Sequence, residues 1–312
     1  MAGLIECIHE EKKALGPAAN EVKNQIQDLI NDKRQKIEIE AINEKLASQK
    51  EDLSLTDSVM ASNTRHGGIH PVTIIQNEIE DIFLSMGFDI LDGPHIEDEF
   101  HNFEALNIPD DHPARDMQDT FWFHDPHKET DEKKFLLRTH TSTIQVRGMM
   151  SRKPPFRFIA PGKVFRCERT DASHEMVFHQ LEGMMVGKNI SVSNLIYFMK
   201  SLLSEIFKKE VEVRLRPGVF PFVEPGFELD IKCLICAGKG CSVCKQVGWV
   251  ELLPCGMVHP NVLKSGGIDP EEFNGFAFGL GLDRLVMMRY HIDDIRHLHS
   301  ADLRFSEQFK TF

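Results

Sequence analysis

The chain has 312 residues, 27% charged and 41% apolar, enough to bury one large core with an appendage and ordinary for a globular protein. A net charge of −12 argues against a generic coat for nucleic acid, and no run of 18 apolar residues offers a membrane span. The start MAGLIECIHEEKK carries charge too early for a secretory signal, so the cytoplasm is the expected compartment.

In chain order, residues 2–14 read as a short helix, Gly16-Pro17 as a turn, and residues 18–50 as a long, polar, exposed helix. Val22, Ile26 and Leu29, and then Ile39, Ile42, Leu46 and Leu53, fall at coiled-coil spacings with a phase break between the two sets. So thin a seam needs a partner helix, and residues 2–14 supply only a short one. The expectation is an abbreviated antiparallel arm over residues 1–53, a linker over 54–68 ending in Arg65-His66-Gly67-Gly68, and a main domain over 69–312. That domain opens with a helix that puts Ile74, Ile75, Ile79, Ile82 and Phe83 on one face and closes at Gly87. A short strand FDIL follows, then strands near 134–138, 156–168 and 176–187, and a helix at 191–209. Further strands are expected near 211–215, 226–232 and 248–253, with a last helix over 279–291. The pattern is α+β, mainly antiparallel sheet with helices against it.

Charge is distributed unevenly. Residues 89–132 hold 14 Asp/Glu against Arg115 and Lys128, whereas residues 133–169 hold ten Lys/Arg against Glu168. A basic segment inside an acidic chain points to a local anionic ligand such as phosphate, the alternative being a solvated loop. The loop reading suits Arg152 and Lys153. It suits Arg166 poorly, because Val164, Phe165 and Cys167 beside it read as buried.

The segment KVFRCERTDASHEMVFHQLE (163–182) concentrates the chemistry. Alternation puts Phe165 and Cys167 on one sheet face and Arg166 and Glu168 on the other. Phe178, Gln180 and Glu182 share a face by the same rule. If the two strands pair antiparallel, one face gathers Arg166, Glu168, Phe178, Gln180 and Glu182, a set that would be ruinous in a dry core. As the floor of a ligand site it makes sense: an arginine fork for phosphate, a phenylalanine for a base, Gln and Glu for an ammonium group. Downstream, FNGFAFGLGLDRL reads as a strand, a glycine pair (Gly279, Gly281) and a helix opening with Arg284 in its first turn.

FRCE followed by H-x-x-x-F-x-x-x-E resembles motif 2 of the class II aminoacyl-tRNA synthetases, GLGLDRL resembles their motif 3, and the helix and strand ending at Pro94 resemble the looser motif 1. LLRTHTSTIQVR, VFHQLEG, FPFVEPG and CGMVHPNVL narrow the resemblance to the phenylalanyl-tRNA synthetase alpha-subunit family, over about Gly16 to Phe312. The resemblance implies an antiparallel six- or seven-stranded catalytic sheet preceded by a coiled-coil arm that reaches tRNA. It implies formation of phenylalanyl-adenylate from ATP and phenylalanine, then transfer to tRNA(Phe), by an (αβ)2 heterotetramer with a beta subunit. By position, Arg166 would hold the α-phosphate and Arg284 the distal phosphate, with Phe178 stacking on adenine and Glu168 and His174 completing the ATP site. His140, Ser142, Gln180 and Glu182 would fix the amino acid's polar end. Phe220, Phe222, Ala277 and Gly279 would shape the pocket for its ring, and Glu224 would bind magnesium in a site shared with beta.

Each residue also has a plainer reading. Phe220 and Phe222 suit a core wall, His140 a packed histidine, and Glu224 a turn carboxylate beside Pro225-Gly226. A non-catalytic binding or regulatory protein that keeps the fold is the alternative function, and the presence of both Arg166 and Arg284 opposes it. An abbreviated arm would weaken tRNA charging while leaving adenylate formation intact. Finally, Cys233, Cys236, Cys241 and Cys244 form C-x2-C-x4-C-x2-C, four of the seven cysteines. Structural zinc is one reading, and reduced, packed thiols are the other, because the x4 gap is short.

Overall fold

The computed structural model describes residues 2–48, 68–115, 120–123, 134–234, 236–240 and 244–309. Two compact units are present, Met1–His66 and Gly67–Phe312. The expected linker lies, apart from Gly68, outside the described residues.

In the first unit a single helix, α1 (Ala2–Ser48), runs unbroken. The turn expected at Gly16-Pro17 is not made. An interior proline forfeits one backbone hydrogen bond and costs about 3 kcal/mol, but the flanking stretches IECIHEEKKAL and AANEVKNQ are strong helix formers and carry the helix through. Val22, Ile26, Leu29, Ile39 and Ile42 all remain more than half exposed. Leu53 lies outside the described residues.

The second unit is built on a seven-stranded sheet. Helix α2 (Pro71–Ser85) leads into β1 (Asp89–Ile90), β2 (Ile96–Asp98), α3 (Glu99–Asn102), β3 (Phe135–Leu137) and α4 (Thr143–Met150). Next come β4 (Phe156–Phe165), β5 (Val177–Gly187), α5 (Val192–Phe207), β6 (Val213–Phe220), β7 (Val223–Lys232) and β8 (Trp249–Val258). The chain closes with α6 (Pro260–Ser265), β9 (Asn274–Gly281), α7 (Leu282–Tyr290), α8 (Arg296–His299) and α9 (Leu303–Ser306). Sheet order is β1-β4-β5-β9-β8-β7-β6, while β2 and β3 form a separate pair. Only β1, beside β4, is parallel; the remaining neighbours are antiparallel, as expected of the fold class.

Strands β6, β7 and β8 run beyond the expected 211–215, 226–232 and 248–253, and three further departures have physical reasons. Strand β4 stops at Phe165, three residues early, because the hairpin opens into a loop there. Strand β3 pairs with β2 rather than entering the main sheet. The last helix begins at Leu282 because β9, through Gly281, still pairs with β5.

The two sheet faces are covered differently. One carries α2, α5 and α7, whose Ile75, Ile79, Phe83, Leu202, Leu203, Leu285 and Val286 pack on Leu181, Phe276 and Phe278. Helix α2 ends as its glycine predicts: Gly87 adopts φ +77° and donates to the Leu84 carbonyl at 2.9 Å. The other face carries a smaller cluster at one end only, where Met184, Val186 and Ala277 meet Ile144, Met149 and Val262. The rest of that face is left for polar side chains.

The acidic and basic segments meet in three ion pairs among the described residues. Arg147 forks onto Glu97 at 2.8 and 2.5 Å, Arg152 reaches Asp89 at 3.7 Å, and Lys134 reaches Glu99 at 3.9 Å. Arg138 is fully buried, donating from Nε to the Lys163 carbonyl at 2.7 Å and from Nη1 to the Gly93 carbonyl at 3.2 Å. Its Nη2 occupies the place where a Cβ at position 162 would stand, so a side chain there would force the guanidinium to shift.

Candidate active site

The site is assembled on the uncovered part of the second face, over β4, β5 and β9. Register sets Val164 opposite Phe178, Gly162 opposite Gln180 and Ala160 opposite Glu182. On the other side of β5, Gln180 faces Gly281, Glu182 faces Gly279 and Met184 faces Ala277. Phe178, Gln180 and Glu182 therefore line one face with Ala277, Gly279 and Gly281, as alternation requires.

At the outer end, Arg166 follows β4. Its Nε donates to the Thr139 carbonyl at 3.1 Å, its Nη1 lies 3.8 Å from Glu168, and its guanidinium sits 5.1 Å from the Phe178 ring centroid. The expected company of Arg166, Glu168 and Phe178 is thus formed. Cys167, read as buried, is exposed, because the strand has already ended. Phe165 is only half buried. His174 stands in the exposed loop between β4 and β5, with Nδ1 3.0 Å from Asp171, whose carboxylate also takes the backbone N–H of Ser173 and His174.

At the inner end, Glu182 is buried and held by three donors. Ser142 Oγ gives to Oε2 at 2.9 Å, Thr141 Oγ1 to Oε2 at 3.3 Å and Gln145 Nε2 to Oε1 at 2.5 Å. Burial pushes its carboxyl up to about 7, against the downward pull of those bonds. Gln180 accepts from the Thr141 backbone N–H at 3.4 Å. Both ring nitrogens of His140 are sealed from solvent without a partner of hydrogen-bonding geometry. Burial first, then the charge of Arg166, pushes its imidazole down to about 3, so it is neutral. A Cβ added to Gly279 would meet only Glu182 Oε2, at 3.5 Å, which leaves open space over that carboxylate.

Helix α7 starts directly after Gly281, and Arg284 in its first turn is exposed, with no ion pair among the described residues. Buried Asp283 ties this helix to β5: it accepts from the His179 backbone N–H at 2.5 Å, and its other oxygen lies 3.3 Å from His179 Nδ1. The link holds Arg284 beside the strand that bears Phe178.

Phe220 and Phe222 do not share a strand, since Phe222 lies in the turn between β6 and β7. Their rings nevertheless stack, 6.0 Å apart, and Phe222 packs against the cluster containing Ala277. Glu224 is 74% exposed, with one oxygen 3.2 Å from His259 Nε2. A single hard carboxylate suits magnesium, which takes one or two carboxylates and keeps several waters or substrate phosphates.

Thr141, Gln145, His179 and Asp283 were not anticipated. The signal for the first two lay in THTSTIQ: α4 begins there, and one helical turn brings Ser142 and Gln145 onto the same carboxylate.

Residues 52–309 match the family model described as tRNA synthetases class II core domain (F), and residues 1–46 match the aminoacyl tRNA synthetase class II N-terminal domain. The phenylalanine–tRNA ligase alpha subunit of Leptospira biflexa is 56% identical, over 99% of this chain and 87% of that one. That of Cellvibrio japonicus is 49% identical over 96% and 85%, and that of Bacillus subtilis 46% identical over 99% and 87%. Among solved structures, pyrrolysyl-tRNA synthetase from Desulfitobacterium hafniense superposes with a TM-score of 0.58 at 18% identity, covering 84% of this chain and 83% of that chain, a likeness of fold alone. With its core motifs on one sheet face and near-full-length identity of this order, the chain belongs to the phenylalanine–tRNA ligase alpha-subunit family of class II tRNA synthetases.

Proposed function

We propose that this chain is the catalytic alpha subunit of a phenylalanine–tRNA ligase, activating L-phenylalanine with ATP and passing the acyl group to tRNA(Phe). One observation carries the reading: Phe178, with Arg166 against its ring, and the caged carboxylate of Glu182 lie on one face of β5, four residues or about 13 Å of extended strand apart, room for a nucleotide and an amino acid end to end.

Phe178 offers its ring to adenine, and Arg166 offers its fork to the α-phosphate. Glu168 and His174 border the same nucleotide, and Arg284 takes the distal phosphates from α7. Glu182, with Ser142 and Gln180, receives the substrate ammonium, and neutral His140 lends an uncharged polar contact at the amino acid's polar end. Phe220, Phe222 and Ala277 wall in the substrate ring, and Gly279 leaves room above Glu182. The carboxylate oxygen then attacks the α-phosphorus, the bond to the bridging oxygen breaks, and pyrophosphate leaves with both electrons of that bond. A hydroxyl of the terminal adenosine of tRNA next attacks the acyl carbon, and AMP departs. No protein nucleophile is needed, because alignment and fixed positive charge lower the barrier. Magnesium, when held at Glu224, would supply charge neutralisation at phosphate oxygens.

The partners on this reading are a beta subunit in an (αβ)2 heterotetramer, which would complete the Glu224 site, and tRNA, met by the arm of residues 1–53 through the linker 54–68. The exposed seam of α1 and the N-terminal family match support that role for the arm. The cytoplasm is the proposed location; among the described residues no helix is long and apolar enough to cross a membrane. Phenylalanine-dependent ATP–pyrophosphate exchange, run on the chain alone and with its beta subunit, is the test. Exchange specific for phenylalanine is expected with beta present; its absence from a folded, assembled complex would refute the assignment.

A further inference from the structure

The cysteine loop joins β7 to β8 and has no part in the reaction above. Glu224 stands near the start of β7 and Cys233 just past its end, so extended backbone separates loop from site by about 30 Å. What the loop does must be read from its own geometry.

The sulfurs of Cys233, Cys236 and Cys244 all lie within 4.8 Å of one another, and those of Cys236 and Cys244 are 3.8 Å apart. Sulfurs bound tetrahedrally at about 2.3 Å from one ion are about 3.8 Å apart, the separation of Cys236 and Cys244, and the third sulfur lies close enough to share that ion.

The backbone around the thiols repeats itself. After Cys236, Ala237 (φ 49°), Gly238 (φ 86°) and Gly240 (φ 98°) are left-handed; after Cys244, so are Lys245 (φ 50°), Gln246 (φ 65°) and Gly248 (φ 79°), at the same one, two and four residues on. Lys239 N–H donates to the Cys236 carbonyl at 3.0 Å, and Val247 N–H to the Cys244 carbonyl at 3.0 Å. Gly240 N–H points at Cys236 Sγ and Gly248 N–H at Cys244 Sγ, both at 3.2 Å. Two turns of the same pattern thus each aim a backbone donor at a sulfur.

Three non-glycine residues, Ala237, Lys245 and Gln246, are held in the left-handed region, at about 1 kcal/mol or more each. A loop that only packed reduced thiols would have no reason to retain that strain twice in register. Cys255 shows what such a thiol looks like here: it is buried in the main core, and burial alone pushes it up to about 12.

We propose that Cys233, Cys236 and Cys244 hold a structural zinc ion that fastens the β7–β8 loop. Zinc follows from the donor set, because soft thiolates clustered around one point suit zinc and exclude magnesium and calcium, which take oxygen ligands. The sequence repeats the first C-x2-C pair eight residues on, with Cys241 in the place of Cys233; Cys241 lies outside the described residues, and the site is argued from the three sulfurs alone. Strands β7 and β8 remain paired from Lys232–Trp249 to Val223–Val258, so the clip secures a hairpin that carries Glu224 at its far end. Each cysteine binding as thiolate releases its proton on loading, and no electron moves.

The test reads metal rather than catalysis, so its failure and that of the ligase assignment are distinguishable. Mass-spectrometric analysis of the untagged chain, purified without chelator, should find about one zinc per chain. C236S and C244S should each lose at least four fifths of it, while C255A and C167S keep it. Should the loop variants not fold, cobalt substitution of the wild type should give the intense thiolate-to-metal charge-transfer absorption of a tetrahedral sulfur site, displaced by added zinc. Less than one tenth of an equivalent of zinc, iron in its place, or zinc retained by C236S and C244S together would overturn the proposal.

Discussion

Replacing Glu182 by glutamine keeps the shape and removes the charge. In the wild-type protein Oε2 takes Ser142 and Thr141, Oε1 takes Gln145, and the buried carboxylate borders the unfilled space at Gly279. Losing the charged partner of a substrate ammonium in so buried a place costs about 2–4 kcal/mol. The KM for phenylalanine in pyrophosphate exchange should therefore rise about 30- to 1000-fold, with the KM for ATP changed less than threefold. The wild type should carry a pH signature as well. With the Glu182 carboxyl near 7, phenylalanine must compete with a proton, and its KM should rise about tenfold between pH 8 and pH 6. E182Q should be flat over that range. A second readout needs no activity. Glu182 is raised above its usual value, so its contribution to stability is present below about 4.5 and is lost as pH rises through about 7. E182Q should accordingly gain in Tm relative to the wild type as pH rises from 5 to 8. A KM for phenylalanine within threefold of wild type in E182Q, or a wild-type KM independent of pH between 6 and 8, would refute the reasoning.

Removing the Phe178 ring with F178A should raise the KM for ATP about five- to 100-fold, the worth of a base–aromatic stack, and leave that for phenylalanine nearly unchanged; exchange kinetics separate the two. Because the Cβ of G279A meets Glu182 Oε2 at an ordinary 3.5 Å, that variant should fold with an unchanged Tm while its KM for phenylalanine rises about tenfold, as space over the carboxylate is filled. His140 carries the opposite pH sign to Glu182: its imidazole is depressed to about 3, so its contribution is full above about 6.5 and is lost as pH falls toward 3. Thermal melts of H140Q should fall less steeply between pH 6.5 and 4 than those of the wild type. In the main core, L202A removes a fully buried side chain from α5 and should cost about 2–5 kcal/mol in chemical denaturation.

Legibility in the sequence followed the range of the interactions. Period-two alternation is a property of one strand, so Phe178, Gln180 and Glu182 could be placed on one face from their spacing, and they lie there. The same rule failed at Cys167, since where a strand stops depends on its neighbour rather than on its own residues. The polar cage of Glu182 was half visible. Ser142 could be named through the resemblance, whereas Gln145 belongs to an eight-residue helix whose polar side chain is buried, the reverse of amphipathic patterning. The charge asymmetry was read as a ligand signal, yet part of it is two segments neutralising each other through pairs such as Arg147 with Glu97. Composition cannot tell a charge kept for a ligand from one kept for a neighbour fifty residues away.

Arg138 and Gly162 illustrate a different kind of dependence. The buried guanidinium needs the absent Cβ of Gly162, and two carbonyls, those of Gly93 and Lys163, need the guanidinium. Any side chain at 162 pushes on the guanidinium, and any shorter residue at 138 leaves both acceptors without it. The two positions therefore act as one mechanical unit: the space at 162 and the length of the side chain at 138 are set by each other, so a change at either is felt at both.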